Sequence, residues 1–312
     1  MCRDITECNL RCKALGPYFC SSMTQKIIRK YTPWFTNNEA KNPVFYDFLK
    51  IWVQYCSSDI WRGTRGKSAE TGNRYFYGKY IVKALKKSLI KKFQLNTADV
   101  AVLTGSSAGG LGAWMNCDDF FSGMPSTMDA RCVVDSGAWI PWWLPPPSCL
   151  VNTLQWFKVW HEMQGIELNS HCVKDHATNK YVLLICGHLS TGYSYVKRPL
   201  FIMGVQIDIV FIMYYFPVLC PFTTYFMNLK ARLADWRQNI RAKLIEVSTQ
   251  KPEIGYYFPN CPGHMLHYNV FTVIANDKNE DITPNEALKM WMDGSNEVHL
   301  IGDTCRMSIH KK

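Results

Sequence analysis

A serine flanked by small residues is the part of the sequence best suited to covalent chemistry. Ser107 lies in the segment Gly105-Ser-Ser-Ala-Gly109, which fits the pattern G-x-S-x-G. This pattern is typical of a strand-to-helix turn that is tight enough to require small neighbours and that lifts the serine hydroxyl into the open. A hydroxyl held in this way can attack an ester carbonyl. The N–H of Ala108 would then donate a hydrogen bond to the developing oxyanion.

Because a serine hydroxyl is a weak nucleophile, this chemistry also needs a base and a carboxylate that orients the base. All eight histidines of the chain follow Ser107. We expect His264 to be the base, because it directly follows the last predicted strand in a loop tightened by Pro262 and Gly263. His267 is the alternative in the same loop.

Two aspartates follow predicted buried strands and are candidates for the carboxylate. Asp208 lies just past an apolar strand, where a charge that is paired only with solvent would be out of place. Asp135 also follows a strand, but the segment Asp135-Ser-Gly137 is also typical of a turn in which the aspartate caps the backbone. Both satisfy the order serine, aspartate, histidine that α/β-hydrolases use. From its spacing we favour Asp208.

The elements that must position these side chains alternate between strands and helices. Short, nearly uninterrupted apolar runs predict buried strands, and apolar residues at every third or fourth position predict helices. Strands are predicted over 99–104, 132–134, 200–203 and 254–258, and helices over 73–93 and 228–247. Prolines at 141 and 145–147 open an insertion that contains tryptophan and cysteine. The alternation favours one α/β domain.

Composition narrows the class of protein. The 35 Lys and Arg residues against 25 Asp and Glu give a net charge of +10, and 47% apolar content excludes a disordered chain. The basic residues are scattered apart from a run at 83–92, so we expect no nucleic-acid partner. The histidines lack metal-ligand spacing, and neither a metal nor a cofactor is implied. The apolar stretch 200–216 is short and contains Asp208, so we expect no stable membrane span.

Thirteen cysteines run from Cys2 to Cys305. In a chain of this size they predict disulfide bonds formed in an oxidising compartment, and so a secreted protein. The first twenty residues nevertheless hold no apolar run long enough for a signal peptide. We therefore expect the sequence to begin after such a peptide.

Five short stretches, found in this order, carry a resemblance that extends over nearly the whole chain: Tyr55-Cys-Ser-Ser-Asp-Ile-Trp61, Leu103-Thr-Gly-Ser-Ser-Ala-Gly-Gly110, Val134-Asp-Ser-Gly137, Pro199-Leu-Phe-Ile202 with Asp208, and Pro259-Asn-Cys-Pro-Gly-His264. Together they resemble the pectin acetylesterase family, which includes the Notum-like carboxylesterases. The resemblance implies an α/β-hydrolase-like fold, with a mostly parallel central sheet flanked by helices and loop-rich, disulfide-bearing insertions. It also implies that Ser107 is the nucleophile, Asp208 the acid and His264 the base.

The start of the chain departs from this family. A cysteine pair that matches Cys2 and Cys8 follows, in the family, a Gly-Gly-Trp loop that supplies further donors to the oxyanion hole. The sequence begins at Met1, where that loop should end. The resemblance thus predicts a single hydrolase domain over 1–312 that is incomplete at its N-terminus. Since losing one oxyanion donor costs about two to three orders of magnitude in turnover, a catalytically impaired binding protein is an alternative.

The resemblance implies a serine carboxylesterase that hydrolyses an O-acyl ester, such as palmitoleate on a Wnt-type protein. Deacetylation of a polysaccharide such as pectin is the alternative within the enzyme class. Val210, Met265 and Leu266 are candidates for an acyl pocket, although ordinary core packing explains such apolar residues equally well. Gly187 and His188 stand where Notum-like enzymes carry large aromatic residues, which leaves the acyl length open.

Overall fold

A parallel β-sheet of five strands forms the centre of the protein. The computed structural model describes residues 2, 4–16, 20–21, 33–137, 147–210, 229–266, 272–275, 280–295 and 298–307. In chain order its strands are β1 (Val100–Ser106), β2 (Asp129–Asp135), β3 (Leu200–Met203), β4 (Ile207–Asp208), β5 (Gly255–Phe258), β6 (Pro262–Gly263), β7 (Thr272–Ala275), β8 (Asp281–Ile282), β9 (His299–Ile301) and β10 (Arg306–Met307). The central sheet has the order β1-β2-β3-β5-β9.

Helices connect and cover these strands. In chain order they are α1 (Ile5–Leu15), α2 (Gly78–Phe93), α3 (Ala108–Phe121), α4 (Pro147–Gln164), α5 (Ser170–Asp175), α6 (Val182–Cys186), α7 (Leu189–Gly192), α8 (Leu229–Gln250) and α9 (Pro284–Met292). The parallel sheet with helices around it confirms the predicted α/β-hydrolase-like fold. All four predicted strands are present, and the strand over 200–203 has the predicted bounds.

The helix predicted over 73–93 begins later than expected, at Gly78. Asn73 has a φ of 59°, which lies in the left-handed region and cannot continue a right-handed helix. The carboxylate of the buried Asp59 accepts the N–H of Gly78 at 2.7 Å. A tertiary contact therefore fixes the first turn of α2, and periodicity alone could not locate it.

The central strands β2, β3 and β5 are buried on both faces, and their successive side chains supply two separate cores. Cys132 and Val134 of β2 point into a large cluster with α3, α4 and α8, whereas Val133 points into a second cluster with α9. The same alternation holds along β3 and β5. This two-sided burial explains why the predicted strands read as continuous apolar runs.

Two small sheets lie apart from the central one in the hydrogen-bonding pattern. One is the parallel pair β4 and β6, and the other has the order β10-β7-β8. Five disulfide bonds join described cysteines: Cys2–Cys8, Cys12–Cys20, Cys117–Cys132, Cys172–Cys186 and Cys261–Cys305. They confirm the prediction that this chain carries disulfides.

No helix in the described ranges is both long enough and apolar enough to cross a membrane. The apolar stretch that raised this question begins with β3 and continues into β4. The four residues of β3 are fully buried in the central sheet. Residues 211–216 of the stretch lie outside the described residues.

Candidate active site

Ser107 occupies the sharp turn between β1 and α3. Its backbone angles are φ 56° and ψ −120°, a conformation that side-chain-bearing residues rarely adopt. Its N–H donates to the main-chain oxygen of Asp135 at 2.8 Å, which holds the turn against the end of β2. Strained backbone that persists because its surroundings hold it in place is characteristic of functional turns.

Close backbone packing explains the small residues around Ser107. A Cβ atom on Gly105 would lie 2.3 Å from the main-chain oxygen of Gly109, which no side chain can tolerate. A Cβ atom on Gly137 would lie 2.4 Å from the carbonyl carbon of Gly110. Glycine at these positions allows the first turn of α3 to approach both β1 and the end of β2.

Ala108 is the first residue of α3, a helix of 14 residues. The first N–H groups of a helix have no partner within the helix and lie at the positive end of its dipole. The N–H of Ala108 directly follows Ser107 at this end of the helix, and its role as a donor to an oxyanion stays a prediction. The disulfide Cys117–Cys132 ties α3 to β2 and fixes this helix relative to the sheet.

His264 lies against Asp208. The distance from Nδ1 of His264 to Oδ2 of Asp208 is 2.8 Å, and the other oxygen, Oδ1, accepts the N–H of Val210 at 2.9 Å. Both side chains are largely buried, with 13% exposure for His264 and 17% for Asp208. With the Nδ1 side of the ring held by the carboxylate, Nε2 is the nitrogen left for a reacting group.

Two short strands create this contact. Asp208 ends β4, Gly263 ends β6, and the two residues are direct partners in the parallel pair. His264 follows Gly263 and is thereby brought beside Asp208, although 56 positions separate the two in the chain. The disulfide Cys261–Cys305 anchors the loop just before β6.

Gln206 holds the chain just before the candidate acid Asp208, and it was not singled out from the sequence. Its side chain is fully buried and Nε2 donates to the main-chain oxygens of Phe258 at 2.9 Å and Gly302 at 2.6 Å. These bonds attach the residue just before β4 to the ends of β5 and β9. The only signal in the sequence that could have identified Gln206 is its polar side chain, two positions before a candidate acid in an apolar stretch.

Asp135, the second candidate for the acid, has a different set of partners. Its carboxylate accepts the hydroxyls of Ser106 and Ser136, each at 3.0 Å, and the N–H of Leu266 at 2.9 Å. The residue is completely buried. The structure thus separates the two aspartates, because the ring of His264 contacts Asp208 and the carboxylate of Asp135 contacts backbone and hydroxyl groups.

Relative to the central sheet, Ser107 follows the carboxyl end of β1, Asp208 that of β3 and His264 that of β5. This is the usual location of functional residues in parallel sheets. Ser136 Oγ lies 3.3 Å from the main-chain oxygen of His264, which links the histidine loop to the end of β2. In the described residues no hydrogen bond joins the Ser107 hydroxyl to the ring of His264. His267, the alternative base, lies outside the described residues.

The candidates for the acyl pocket differ in their environment. The side chains of Val210 and Met265 are partly exposed near the acid and the base. Leu266 is only 1% exposed and packs in the second core cluster, which is the packing role considered for it from the sequence. His188, after the disulfide-bonded Cys186, is buried against Phe157.

His161 is a buried histidine that the sequence did not distinguish. It is 5% exposed and lies against the rings of Phe157 and Trp160. Burial lowers the pKa of His161 to about 4, because the charged form loses its hydration. The ring is therefore neutral at physiological pH.

Asp59 explains the stretch Tyr55-Cys-Ser-Ser-Asp-Ile-Trp61. It is completely buried, and it accepts the N–H groups of Trp61 at 3.1 Å and Gly78 at 2.7 Å. Burial raises the pKa of Asp59 to about 6, although hydrogen bonds to the carboxylate partly oppose this shift. Asp59 thus organises the turn before α2.

Within the described ranges, no three His, Cys, Asp or Glu residues are grouped so that they could hold a metal ion.

The amino-acid sequence is similar to one protein family and to several characterised proteins. The sequence profile of the family described as Pectinacetylesterase matches residues 1–312. Pectin acetylesterase 5 of Arabidopsis thaliana is 26% identical over 214 residues, which cover 66% of this chain and 47% of the relative. The palmitoleoyl-protein carboxylesterase NOTUM of Schmidtea mediterranea is 28% identical over 113 residues, or 36% of this chain and 21% of the relative.

Palmitoleoyl-protein carboxylesterase notum1a of Danio rerio is more similar over a shorter segment. It is 39% identical over 79 residues, which cover 25% of this chain and 15% of the relative. The chain spans less than half the length of each of these curated relatives. The match of the family profile to all 312 residues, together with these relatives, leads to one conclusion: the chain belongs to the pectinacetylesterase family.

Proposed function

We propose that the domain formed by residues 1–312 is a serine carboxylesterase that removes an O-linked acyl group. The observation that carries this proposal is the 2.8 Å contact between His264 Nδ1 and Asp208 Oδ2. These two residues and the strained Ser107 each follow the carboxyl end of a strand of the central sheet. A histidine oriented by a carboxylate is the partner that a serine nucleophile requires. The names of the relatives, acetylesterase and carboxylesterase, agree with this reaction class.

In the proposed reaction, Ser107 Oγ attacks the ester carbonyl while His264 Nε2 takes the serine proton. The negative charge moves to the carbonyl oxygen, where the N–H of Ala108 donates to it. Asp208 stabilises the imidazolium, which passes its proton to the departing alcohol oxygen as the ester bond breaks. Water then attacks the acyl-enzyme with His264 again as the base, and the carboxylic acid leaves as Ser107 recovers its proton.

For the substrate we propose a long-chain acyl ester on a protein, such as palmitoleate on a Wnt-type protein. Four relatives, two of them described above, carry the name palmitoleoyl-protein carboxylesterase. The partly exposed Val210 and Met265, near the acid and the base, would contribute apolar surface for such a chain. Their side chains are the only pocket candidates from the sequence that are not enclosed by the described core.

Deacetylation of an acidic polysaccharide is the second candidate, and a specific surface favours it. The segment 65–93, which includes α2, contains nine basic residues and one acidic residue. Within this segment, Tyr75, Tyr77 and Tyr80 are 57%, 39% and 51% exposed, and consecutive ring centroids lie 5.3 and 5.4 Å apart. Exposed aromatic rings with many lysines suit a chain of acidic sugars.

We also propose that the protein acts outside the cell. Five disulfides within the described residues favour an oxidising compartment, where such bonds persist. A secreted location would bring the enzyme to either class of substrate, an acylated protein or a polysaccharide.

A fluorophosphonate probe tests the nucleophile. The parent protein should be labelled, Ser107→Ala should not, and Ser122→Ala should be labelled like the parent, because Ser122 is an exposed serine just past the same helix. Failure to label the parent, or labelling of Ser107→Ala, would contradict the proposal and favour a binding protein that lacks catalysis.

Two ester substrates then separate the candidate functions. A preference for nitrophenyl octanoate over nitrophenyl acetate, measured as kcat/KM, would favour the long-chain acyl substrate. A preference for the acetate would favour the deacetylase. If a correctly folded protein hydrolyses neither ester, the carboxylesterase proposal is wrong.

A further inference from the structure

We propose that Asp135 is a positioning residue that locks the nucleophile turn to the histidine loop. The inference rests on the proposed function, because it assigns Asp135 a part in aligning Ser107 with His264. It concerns a residue that contributes geometry to the reaction and remains outside the proton transfers described above.

The contacts of Asp135 reach both halves of the site. On the nucleophile side, its main-chain oxygen accepts the N–H of Ser107 at 2.8 Å, and its Oδ2 accepts the hydroxyl of Ser106 at 3.0 Å. On the histidine side, its Oδ1 accepts the N–H of Leu266 at 2.9 Å. Leu266 is two residues past His264. One residue therefore fixes the backbone on each side of the expected proton transfer.

The register of the sheet makes this bridge possible. Asp135 is the direct partner of Ser106 at the end of the β1–β2 pair, so it lies beside the turn that carries Ser107. The next residue, Ser136, has a φ of 51° and places its hydroxyl 3.0 Å from Asp135 Oδ1 and 3.3 Å from the main-chain oxygen of His264. The end of β2 thus contacts His264 and Leu266 within one loop.

Because the carboxylate of Asp135 is buried, it needs these hydrogen-bond donors. Asp135 is 0% exposed, and a buried carboxylate is stable only when donors surround it. Removing the carboxylate would leave the N–H of Leu266 and the hydroxyl of Ser106 without this acceptor. The histidine loop would then lose its attachment through the N–H of Leu266 and keep the weaker contact from Ser136 to His264. Small displacements between reacting groups lower turnover strongly.

Asparagine provides a conservative replacement. Its Oδ1 can accept the N–H of Leu266 and the hydroxyl of Ser136, while its Nδ2 can donate to Ser106, whose hydroxyl can turn to accept. Asp135→Asn should therefore retain the bridge, whereas Asp135→Ala should lose it. Ser106→Ala should remove the hydroxyl contact between the nucleophile turn and the Asp135 carboxylate, and it should leave the contact between Asp135 and Leu266 in place.

Kinetics on nitrophenyl acetate test the inference. We expect kcat to fall by about 100-fold in Asp135→Ala, with KM changed by less than about threefold, and Asp135→Asn to recover kcat to within about fivefold of the parent. For Ser106→Ala we expect kcat to fall by about three- to tenfold with an unchanged melting temperature. Ser106→Ala decides the matter if Asp135→Ala does not fold, and in that case an unchanged kcat overturns the inference.

Asp59→Ala serves as the matched control. Asp59 is an equally buried carboxylate that accepts two backbone N–H groups, but its partners belong to the turn before α2. This variant should lose thermal stability while its folded fraction keeps the parent kcat. If Asp135→Ala behaves in the same way, the role of Asp135 is merely structural and the inference is wrong.

Hydrogen exchange separates this inference from the proposed function. The peptide that contains Leu266 should exchange its amide protons faster in Asp135→Ala than in the parent, and at the parent rate in Asp135→Asn. This measurement requires no catalysis. An inactive parent with that exchange pattern would overturn the esterase proposal and leave the bridge in place, whereas unchanged exchange in Asp135→Ala would overturn the bridge itself.

Discussion

The ring of His264 and the carboxylate of Asp208 meet at 2.8 Å because two strands of only two residues each pair in parallel. The contact requires no long element, and it depends on anchors at both ends. Gln206 fixes the approach to Asp208, and the disulfide Cys261–Cys305 fixes the approach to His264.

If this pair acts as proposed, Asp208→Asn should abolish most of the esterase activity. The amide would no longer stabilise the imidazolium and would favour the wrong tautomer of His264. We expect kcat on nitrophenyl acetate to fall by roughly 10³- to 10⁴-fold with the fold retained. Asp175→Asn, at an exposed aspartate bonded to Tyr195, is the control and should retain the parent rate. A loss of less than tenfold in Asp208→Asn would argue against the assigned acid.

Replacing Gly105 or Gly109, the two glycines on either side of Ser107, with alanine should have different effects on the free energy of unfolding. Gly105→Ala should lower the free energy of unfolding by about 1–3 kcal/mol or more, because its Cβ would lie 2.3 Å from Gly109 O. For Gly109→Ala, no atom of the described residues outside the backbone of α3 itself lies within 4 Å of the added Cβ, so this variant should be neutral or slightly stabilising. Urea unfolding of both variants measures the difference, and equal stabilities would show that the close approach is absent.

His161 predicts a loss of stability in acid. Its pKa is about 4 in the folded protein and about 6.5 when unfolded, so folding favours the neutral ring. This contribution is complete above pH 6.5 and is lost as the pH falls toward 4, which amounts to about 3 kcal/mol. His161→Phe, which suits the neighbouring rings of Phe157 and Trp160, should remove that loss.

Urea unfolding at pH 7.5 and pH 4 measures this effect as the change in the difference between variant and parent. His171→Phe, at an exposed histidine, is the matched control and should follow the parent at both pH values. If His161→Phe loses as much stability in acid as the parent does, the buried ring does not govern this pH dependence.

The raised pKa of Asp59 should make the free energy of unfolding fall as the pH rises, which is opposite to the effect of His161. Its pKa is raised from 3.8 to about 6 by burial, so folding favours the protonated acid. This contribution is complete below pH 3.8 and is lost as the pH rises through 6. Between pH 4 and 6 it therefore opposes the effect of His161. In Asp59→Asn the parent's acid stabilisation should disappear, whatever the absolute stability of the variant. The slope of unfolding free energy against pH is the quantity to compare, and an unchanged slope would refute the assignment.

Strands β2, β3 and β5 could be located from the sequence because they are buried on both faces and therefore consist of apolar runs. The strand over 200–203 has its predicted bounds, since Pro199 and Gly204 mark its ends. The start of α2 was wrong by five residues, because the contact from Asp59 to Gly78 that sets it joins distant parts of the chain.

In the candidate site, too, local patterns could be predicted from the sequence, and contacts between residues far apart in the chain could not. Asp208 and His264 could be expected to lie near each other, since each follows a predicted strand and strand ends share one edge. Their catalytic roles, and that of Ser107, stay predictions. The partners of Asp135 could not be anticipated, because Leu266 donates to it across 131 positions. Gln206 was missed for the same reason, since its acceptors are main-chain oxygens that no residue type reveals.

The disulfide Cys117–Cys132 has a practical consequence for producing this protein. It joins the helix behind the serine turn to the strand that ends in Asp135, so correct oxidation and correct alignment of that region are coupled. Expression in a reducing cytoplasm would leave both cysteines as free thiols, and the covalent link between α3 and β2 would be absent. Recombinant material should therefore be made in a periplasm, an endoplasmic reticulum or a glutathione-buffered refolding mixture before any turnover is measured.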